Sequence, residues 1–405
     1  MRAAFEPFAS RNFSLYFWSQ VLSNVGTWFQ NLALALLLLA ITGRAQVLGY
    51  VTAAQFLPLL ILSIPAGWLA DRVRPWRILL AAMAASSLVV AAIAFVVRAP
   101  EPNLVHIYLL VGLLGVFHTF ERVAGQAFIF EIVGAAGLSR AVSVSTIAMA
   151  AARTVGPGLA GVAYDRLGPF WALMFNAASF LLGLLLLLLI NVATLTTRGG
   201  QERSSTGDGG DPARSGWLDV VRTPTARPLP TVNIMVALFS LNLMIVLTSM
   251  ATITLQGSGS QVGLVHALNA VGSVGGGLYA ASRISISVRK LVPACAMLGV
   301  CLLLGSAAPN LLLFLAIGPF LGFGVGYYHG VLHAASQQAV APRAIGRMMS
   351  LITLGSFGVA PLGARLMGWV VDEVSPRAPM MIGAVAALSC AAGVAAYGRR
   401  RASAR

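Results

Sequence analysis

The chain has few charged residues and few cysteines, and each shortage excludes a class of protein. Only 10% of its 405 residues are charged, 58% are apolar, and the mean hydropathy is +0.83, values that would leave a soluble domain insoluble. No Gly-x-x-x-x-Gly-Lys-Ser/Thr loop occurs, so this motif does not supply ATP binding. Three cysteines inside apolar runs favour neither a disulfide framework nor a metal site: Cys295, Cys301 and Cys390.

What the chain has instead is a series of apolar runs of about 20 residues, the length that one helical crossing of a bilayer requires. Hydropathy predicts twelve such runs and therefore an all-α membrane protein with twelve transmembrane helices. The predicted helices centre on 15–41, 47–70, 77–98, 104–128, 140–164, 170–191, 230–255, 261–282, 291–307, 311–334, 347–371 and 379–397.

The basic residues are distributed unevenly between the two sides of this predicted bundle. Twenty of the 27 fall at one set of helix ends and loops, four fall at the other, and three lie within spans. Because cytoplasmic loops carry such an excess, both termini are predicted to be cytoplasmic, and the net charge of +15 reflects orientation rather than nucleic-acid binding. The first apolar run is too long for a cleavable signal peptide, so we expect it to remain in the protein.

A polar stretch rich in Gly, Ser, Asp and Arg divides the chain. Residues 194–229 are predicted to form a flexible cytoplasmic linker between an N-terminal half, 1–193, and a C-terminal half, 230–405. An offset of 207 residues aligns identical residues of helices 4 to 6 with those of helices 10 to 12, for example Asp165 with Asp372. Two pseudo-symmetric six-helix halves around a central site are a transporter arrangement.

Residues 67–78 join predicted helices 2 and 3 with the sequence Gly-Trp-Leu-Ala-Asp-Arg-Val-Arg-Pro-Trp-Arg-Ile. This segment resembles the loop signature of the major facilitator superfamily. The segments 13–30, 126–133, 152–161 and 175–180 resemble the drug-exporter branch that contains macrolide efflux proteins and the enterobactin exporter.

The resemblance implies the major facilitator fold and a secondary active exporter of small amphipathic organic compounds. These would be drugs, as in drug resistance, or secreted metabolites, as in siderophore export, exchanged for protons by alternating access. An importer or facilitator of the same fold is the alternative. A receptor or a membrane-embedded enzyme is less favoured, since an enzyme would need a clustered nucleophile and base and none is evident.

The loop signature also implies a gate on the cytoplasmic side. Its candidate residues are Gly67, Asp71, Arg72 and Arg77, joined by Glu131 near the inner end of helix 4. Asp71 would pair with a neighbouring arginine or a helix terminus and would break that contact as the halves rock. The alternative is that the arginines only anchor the loop in the cytoplasm, although anchoring requires neither the acid nor the glycine.

Charged residues inside the predicted helices are few, and an unpaired charge in hydrocarbon is costly. His118, Glu121 and Arg122 share one broad face of helix 4, and Arg153 lies at a matching depth on helix 5. Glu121 aligns with the acid that the family carries on helix 4. Either Glu121 exchanges a proton during transport, with Arg122 or Arg153 as its partner, or it belongs to a static ion pair that fixes helices 4 and 5.

In the superfamily, helices 1, 4, 7 and 10 line the central cavity, and here each carries polar or aromatic residues, a lining that suits an amphipathic ligand. Trp28 and Tyr328 are either substrate contacts or packing aromatics. His329 and His333 fit a polar lining better than a closed metal site. The cavity candidates are Asn24, Trp28, Asn31, Asn242, Tyr328, His329 and His333, and a helix 5 segment that resembles an exporter motif, or else marks a packed kink, contains Gly156, Pro157 and Gly161.

We therefore expect a multi-pass protein of the bacterial inner membrane that functions as a monomer. Its expected partners are a small-molecule substrate, protons and membrane lipid. No nucleic acid, cofactor or resident metal is expected.

Overall fold

The computed structural model describes residues 7–195, 226–283, 288–340 and 344–403, and the regular elements in these ranges are helical. Short 3-10 turns and one π-helical turn, Met250–Thr254, accompany the α-helices. The α-helices are α1 (Arg11–Thr42), α2 (Gln46–Arg72), α3 (Pro75–Val97), α4 (Leu104–Leu188), α5 (Pro228–Phe239), α6 (Leu243–Ser249), α7 (Gly259–Ala281), α8 (Leu291–Ser306), α9 (Leu311–Gln338), α10 (Ile345–Phe357), α11 (Ala360–Glu373) and α12 (Ala378–Ser403).

Within the described ranges, ten helices are long and apolar enough to cross a membrane. They include Arg140–Leu188 as a single span of 49 residues, but not α7, whose six glycines lower its hydropathy. At about 1.5 Å per residue, a 49-residue helix is more than twice as long as the hydrocarbon core of about 30 Å. The all-helical membrane fold is confirmed, whereas the number of twelve crossings and the side of the termini stay predictions.

α4 runs for 85 residues but is broken at two glycines. Gly134 (φ 65°, ψ −176°) and Gly168 (φ 79°, ψ 170°) adopt backbone conformations that are essentially restricted to glycine. Pro169 follows the second break directly and disfavours helical geometry in the residue before it. The two breaks divide α4 into a first section, 104–134, a second, 135–168, and a third, 169–188, which correspond to predicted helices 4, 5 and 6.

Two other predicted helices are interrupted in the structure. The helix predicted over 230–255 is broken at 240–242, where the Asn242 side chain donates to the Leu238 carbonyl at 2.8 Å. The helix predicted over 347–371 is divided at 358–359, just before α11, whose second residue is Pro361. The sequence predicted continuous helices here because hydropathy averages over such short breaks.

The chain divides into two compact units. Unit 1 comprises Met1–Leu37 and Ala54–Gly207, and unit 2 comprises Leu38–Ala53 and Asp208–Arg405. The end of α1 and the start of α2 therefore group with unit 2, whereas the sequence assigned them to the N-terminal half. Residues 196–225, most of the predicted linker, lie outside the described residues, so the predicted domain boundaries stay a prediction.

In unit 1, hydroxyl groups hold the helices against α4. Ser19 donates to the Gly183 carbonyl at 2.9 Å, and the Tyr16 hydroxyl donates to the Gly125 carbonyl at 3.2 Å. On α3, Ser87 donates to a third-section carbonyl at 2.8 Å. These bonds satisfy polar groups that hydrocarbon would leave unpaired. They also fix α1 beside the first section of α4, where the charged residues lie.

In unit 2, α7 and α9 approach closely along a row of glycines. A Cβ on Gly272 or Gly276 would collide with the backbone of α9. In return, a Cβ on Gly322 or Gly326 would collide with the backbone of α7. Small residues allow helices in membranes to approach each other in this way, so the two helices form a closely packed pair.

Elsewhere in unit 2, Asp372 caps the first turn of α2. Its Oδ1 accepts a hydrogen bond from the backbone N–H of Ala45 at 2.7 Å, and its Oδ2 accepts one from Gln46 at 2.9 Å. Gly368, one turn earlier on α11, permits the approach, since a Cβ there would lie 2.7 Å from the Cα of Gln46. A carboxylate in this position satisfies otherwise unpaired N–H groups and interacts favourably with the helix dipole.

Glycines aligned by the 207-residue offset make corresponding contacts, each within its own unit. In unit 1, a Cβ on Gly156 would meet the backbone of α1, and in unit 2 one on Gly363 would meet the backbone of α5. Likewise, Gly115 faces the backbone of α2 and Gly322 faces that of α7. The aligned positions therefore serve the same kind of helix contact.

Candidate functional site

Three side chains of α1 surround Glu121 on the first section of α4. The Ser23 hydroxyl donates to Oε1 of Glu121 at 3.0 Å, and Gln20 lies beside the same carboxylate. Tyr16, one turn before Gln20, is close enough to interact electrostatically with it. These α1 residues recur every three or four positions and so share one helix face. Only 8% of Glu121 is exposed, which makes it a buried carboxylate held largely by neutral partners.

The two arginines that the sequence offers to Glu121 occupy different positions. Arg122 interacts electrostatically with Glu121. The guanidinium carbon of Arg153 instead lies 5.0 Å from the centre of the Trp28 ring. In the described part of the chain, no ion pair joins Arg153 to Glu121. The structure therefore gives Glu121 a charged neighbour on its own helix and leaves Arg153 to an aromatic ring.

His118 stays with this cluster. Its ring centre lies 5.8 Å from that of Phe180, and Arg122 acts on it electrostatically. Its Nε2 is buried and has no hydrogen-bond partner among the described residues. The structure thus keeps together His118, Glu121 and Arg122, which the sequence placed on one face of helix 4.

The second section of α4 meets α1 at Gly156. A Cβ on Gly156 would lie 2.7 Å from the Cβ of Trp28 and 2.8 Å from the Val25 carbonyl, so the two helices touch backbone to backbone. Pro157 and Gly161 are buried in the same section. This packing, one turn after Arg153, brings the Trp28 ring within reach of its guanidinium.

Three of the five predicted gate residues line one cavity of about 580 Å³ in unit 1. These are Asp71, Arg72 and Glu131. The guanidinium of Arg72 also lies 3.7 Å from the centre of the Trp68 ring. Gly67 and Arg77 do not line this cavity: a Cβ on Gly67 would meet no atom within 4 Å, and Arg77 is exposed.

The polar residues expected to line the cavity from predicted helices 1 and 7 form hydrogen bonds mainly with neighbouring backbone and side-chain groups. Asn24 donates to the Gln20 carbonyl at 2.8 Å, and the Gln55 amide donates to Oδ1 of Asn31 at 3.3 Å. Asn242 holds the break between α5 and α6. These amides therefore stabilise helix ends and helix contacts in this conformation.

On α9 the structure separates the predicted cavity residues. Tyr328 is fully buried and lies in the core of unit 2, because it shares the helix face that carries Val325 and Leu332. This placement fits a packing aromatic, one of the two roles that the sequence left open for Tyr328, and a substrate contact stays a prediction. His329 is half-buried and His333 is exposed, with their ring centres 6.4 Å apart.

Comparison with known families decides among the classes of membrane protein that this geometry allows. The model of the transmembrane secretion effector family, a branch of the major facilitator superfamily, matches residues 2–401. The chain belongs to this family. It is therefore a membrane transporter of the major facilitator type, and a multi-pass protein of the bacterial inner membrane. The predicted resemblance to the drug-exporter branch is confirmed.

The relatives of this transporter are bacterial transporters. It is 26% identical over 382 residues to the multidrug efflux pump Tap of Mycolicibacterium fortuitum, covering 91% of each chain. It is 26% identical over 148 residues to the staphyloferrin A transporter of Staphylococcus aureus, covering 36% of this chain and 37% of that protein. A bacterial homologue of the iron transporter ferroportin, solved in an inward-facing state, matches with a TM-score of 0.72 at 15% identity, covering 96% and 98% of the two chains, and shows the fold alone.

The sequence did not predict the α1 partners of Glu121. Tyr16 and Ser23 do not stand out in the sequence, because hydroxyl residues are common in membrane helices. Their spacing around Gln20 was the available signal, since it places three polar side chains on one face of an apolar helix. The 2.5 Å hydrogen bond from Asn176 to Gln30, which ties the third section of α4 to α1, was also missed, because sequence alone does not show which amides of two helices face each other.

Proposed function

We propose that this transporter exports small amphipathic organic compounds in exchange for protons, by alternating access. The observation that carries the proposal is the carboxylate of Glu121, buried inside a membrane-spanning section and hydrogen-bonded to Ser23. Ionisable groups at such positions are costly and often mark ion or proton pathways. The names of two relatives, a multidrug efflux pump and a staphyloferrin A transporter, support an organic substrate.

The proposed topology has twelve crossings in two six-helix halves, with both termini in the cytoplasm. The breaks at Gly134 and Gly168 support three crossings within α4, because its length exceeds one bilayer about fourfold. The excess of basic residues at one set of helix ends supports the orientation. The matching contacts of Gly156 and Gly363 support the repeat.

In the proposed cycle, Glu121 takes up a proton while the cavity faces outward and releases it while the cavity faces the cytoplasm. Ser23 and Gln20 are neutral partners that serve both charge states of the carboxylate. Arg122 stabilises the deprotonated form. The return of the empty carrier then carries a neutral carboxyl group, which avoids moving a charge through a low-dielectric interior.

Accumulation in inverted membrane vesicles tests the exporter proposal. The probe is ethidium, an amphipathic dye whose permanent charge prevents it from carrying protons by itself. With an acidic lumen, vesicles that contain the transporter are expected to accumulate ethidium, and a protonophore is expected to release it. Equilibration that ignores the gradient would instead support a facilitator.

The cytoplasmic gate gives a second expected result in the same vesicles. Asp71→Asn removes the charge that shares a cavity wall with Arg72 and Glu131, and we expect the initial rate of ethidium uptake to fall about fivefold, as for a lost contact of about 1 kcal/mol. Glu101→Gln removes the charge of an exposed acid that does not line that cavity and should stay near the wild-type rate. Equal initial rates of ethidium uptake for Asp71→Asn and wild type would contradict a gate role for Asp71.

A further inference from the structure

Arg153 is a cation without an acidic partner among the described residues, although it lies well inside a membrane span. Its side chain is exposed, and its guanidinium carbon lies 5.0 Å from the centre of the Trp28 ring. Thirteen residues, or about 20 Å of helix, separate it from Arg140 at the start of the span. That depth keeps it away from lipid headgroups, so the guanidinium needs another source of negative charge.

The direction in which Arg153 points is given by the exposed residues around it. Val155, Leu159 and Val162 form an apolar stripe, each about half exposed, along one side of the second section of α4. At 3.6 residues per turn, Arg153 lies on roughly the opposite side of the helix. An apolar exposed stripe suits lipid, and a charged exposed side chain suits water. The Arg153 side chain therefore points away from this apolar stripe.

The contact with the Trp28 ring leaves the Arg153 guanidinium suited to a ligand with two neighbouring oxygen atoms. Gly156 brings α1 against the second section of α4, which holds the indole beside Arg153. A guanidinium that interacts with an aromatic ring through its charge leaves its N–H donors available to a ligand. Those donors match the two oxygens of a carboxylate in a bidentate pair.

The acid that the sequence offered to Arg153, Glu121, does not compete for this position. Glu121 accepts its hydrogen bond from Ser23 and has Arg122 as its charged neighbour. We propose that Arg153, held beside Trp28, is the subsite that binds a carboxylate group of the exported compound. The proposal rests on the proposed export function and names a substrate class for it: amphipathic organic acids.

A matched pair of ligands tests the subsite by equilibrium binding to the purified protein in detergent, without any gradient. The ligands are a rhodamine with a free carboxylate and its methyl ester, which differ only at the group in question. We expect wild type to bind the acid more tightly than the ester. Arg153→Gln should weaken binding of the acid about tenfold or more and leave the ester within about twofold.

Two further variants keep the result interpretable. Arg153→Lys retains the charge without the planar fork and should fall between wild type and Arg153→Gln. Arg365→Gln is the matched control, since Arg365 is also an exposed arginine near an aromatic ring, 5.8 Å from that of Tyr50, and it should change neither affinity. A wild type that does not prefer the acid, or an Arg153→Gln that weakens both ligands equally, would overturn the subsite. Absence of gradient-driven uptake of the carboxylate rhodamine into inverted vesicles, alongside an intact acid preference, would overturn only the transport direction or coupling.

Discussion

Glu121→Gln is expected to abolish gradient-driven accumulation of ethidium while leaving exchange of ethidium across the membrane intact. Glutamine fills the same volume and still accepts a hydrogen bond from Ser23, but it cannot gain or lose a proton. A variant fixed in the neutral form can reorient with substrate yet cannot couple that movement to protons. We expect accumulation to fall at least about tenfold, since charge at this depth is worth more than the 1.4 kcal/mol of a tenfold change.

The exchange measurement separates this outcome from a structural role. Vesicles preloaded with unlabelled ethidium and placed in labelled ethidium, without a gradient, report reorientation alone. Ser23→Ala, which removes the hydrogen-bond donor but keeps the acid, should retain accumulation at a reduced rate. If Glu121→Gln loses exchange and accumulation to the same extent, Glu121 holds the helices together and does not carry protons.

Asp372→Ala is expected to release the first turn of α2 from α11. The substitution removes two hydrogen bonds from a carboxylate to the backbone, at 2.7 and 2.9 Å, together with a favourable charge at a helix N-terminus. Loss of such a cap costs about 1 to 2 kcal/mol. Amide hydrogen exchange at Ala45 and Gln46 should therefore accelerate about tenfold.

α2 is divided between the two units. Its residues up to Ala53 group with unit 2 and those from Ala54 onward group with unit 1. Pro58 lies inside α2 and makes the helix easier to bend, because proline removes one backbone hydrogen bond. Glu373→Gln alters the charge of the neighbouring exposed residue and serves as control. Unchanged amide hydrogen exchange at Ala45 and Gln46 in Asp372→Ala would show that the Asp372 carboxylate does not stabilise the first turn of α2.

The fold was predictable from the sequence where a single residue dominates the backbone. Gly134 and Gly168 separate apolar runs that hydropathy also separates, so predicted helices 4 to 6 correspond to the three sections of α4. The break at Asn242 was not predictable, because its cause is one side chain that turns back to the Leu238 carbonyl inside an apolar run. α7 shows the opposite limit: its glycines lower its hydropathy while they allow its close packing with α9.

The candidate site was predictable as far as it depends on rare residue types. Glu121 and Arg153 stand out because charged residues are scarce in the spans. Their matching depths did not decide whether the two residues pair, and in the structure Arg153 lies beside the Trp28 ring instead. Tyr328 shows why orientation is harder than depth. One residue corresponds to a rotation of about 100° around a helix, which places Tyr328 in the core while His329 remains half-buried.

Coupling between substrate and protons is the central claim, and it is measured most directly with purified transporter in liposomes that enclose a pH-sensitive dye. The membrane potential is clamped, and ethidium is added on the side of the cytoplasmic face. The account predicts that the lumen of wild-type liposomes becomes alkaline as ethidium enters, and that Glu121→Gln liposomes show no such change. Entry of ethidium into wild-type liposomes at constant lumenal pH would contradict it.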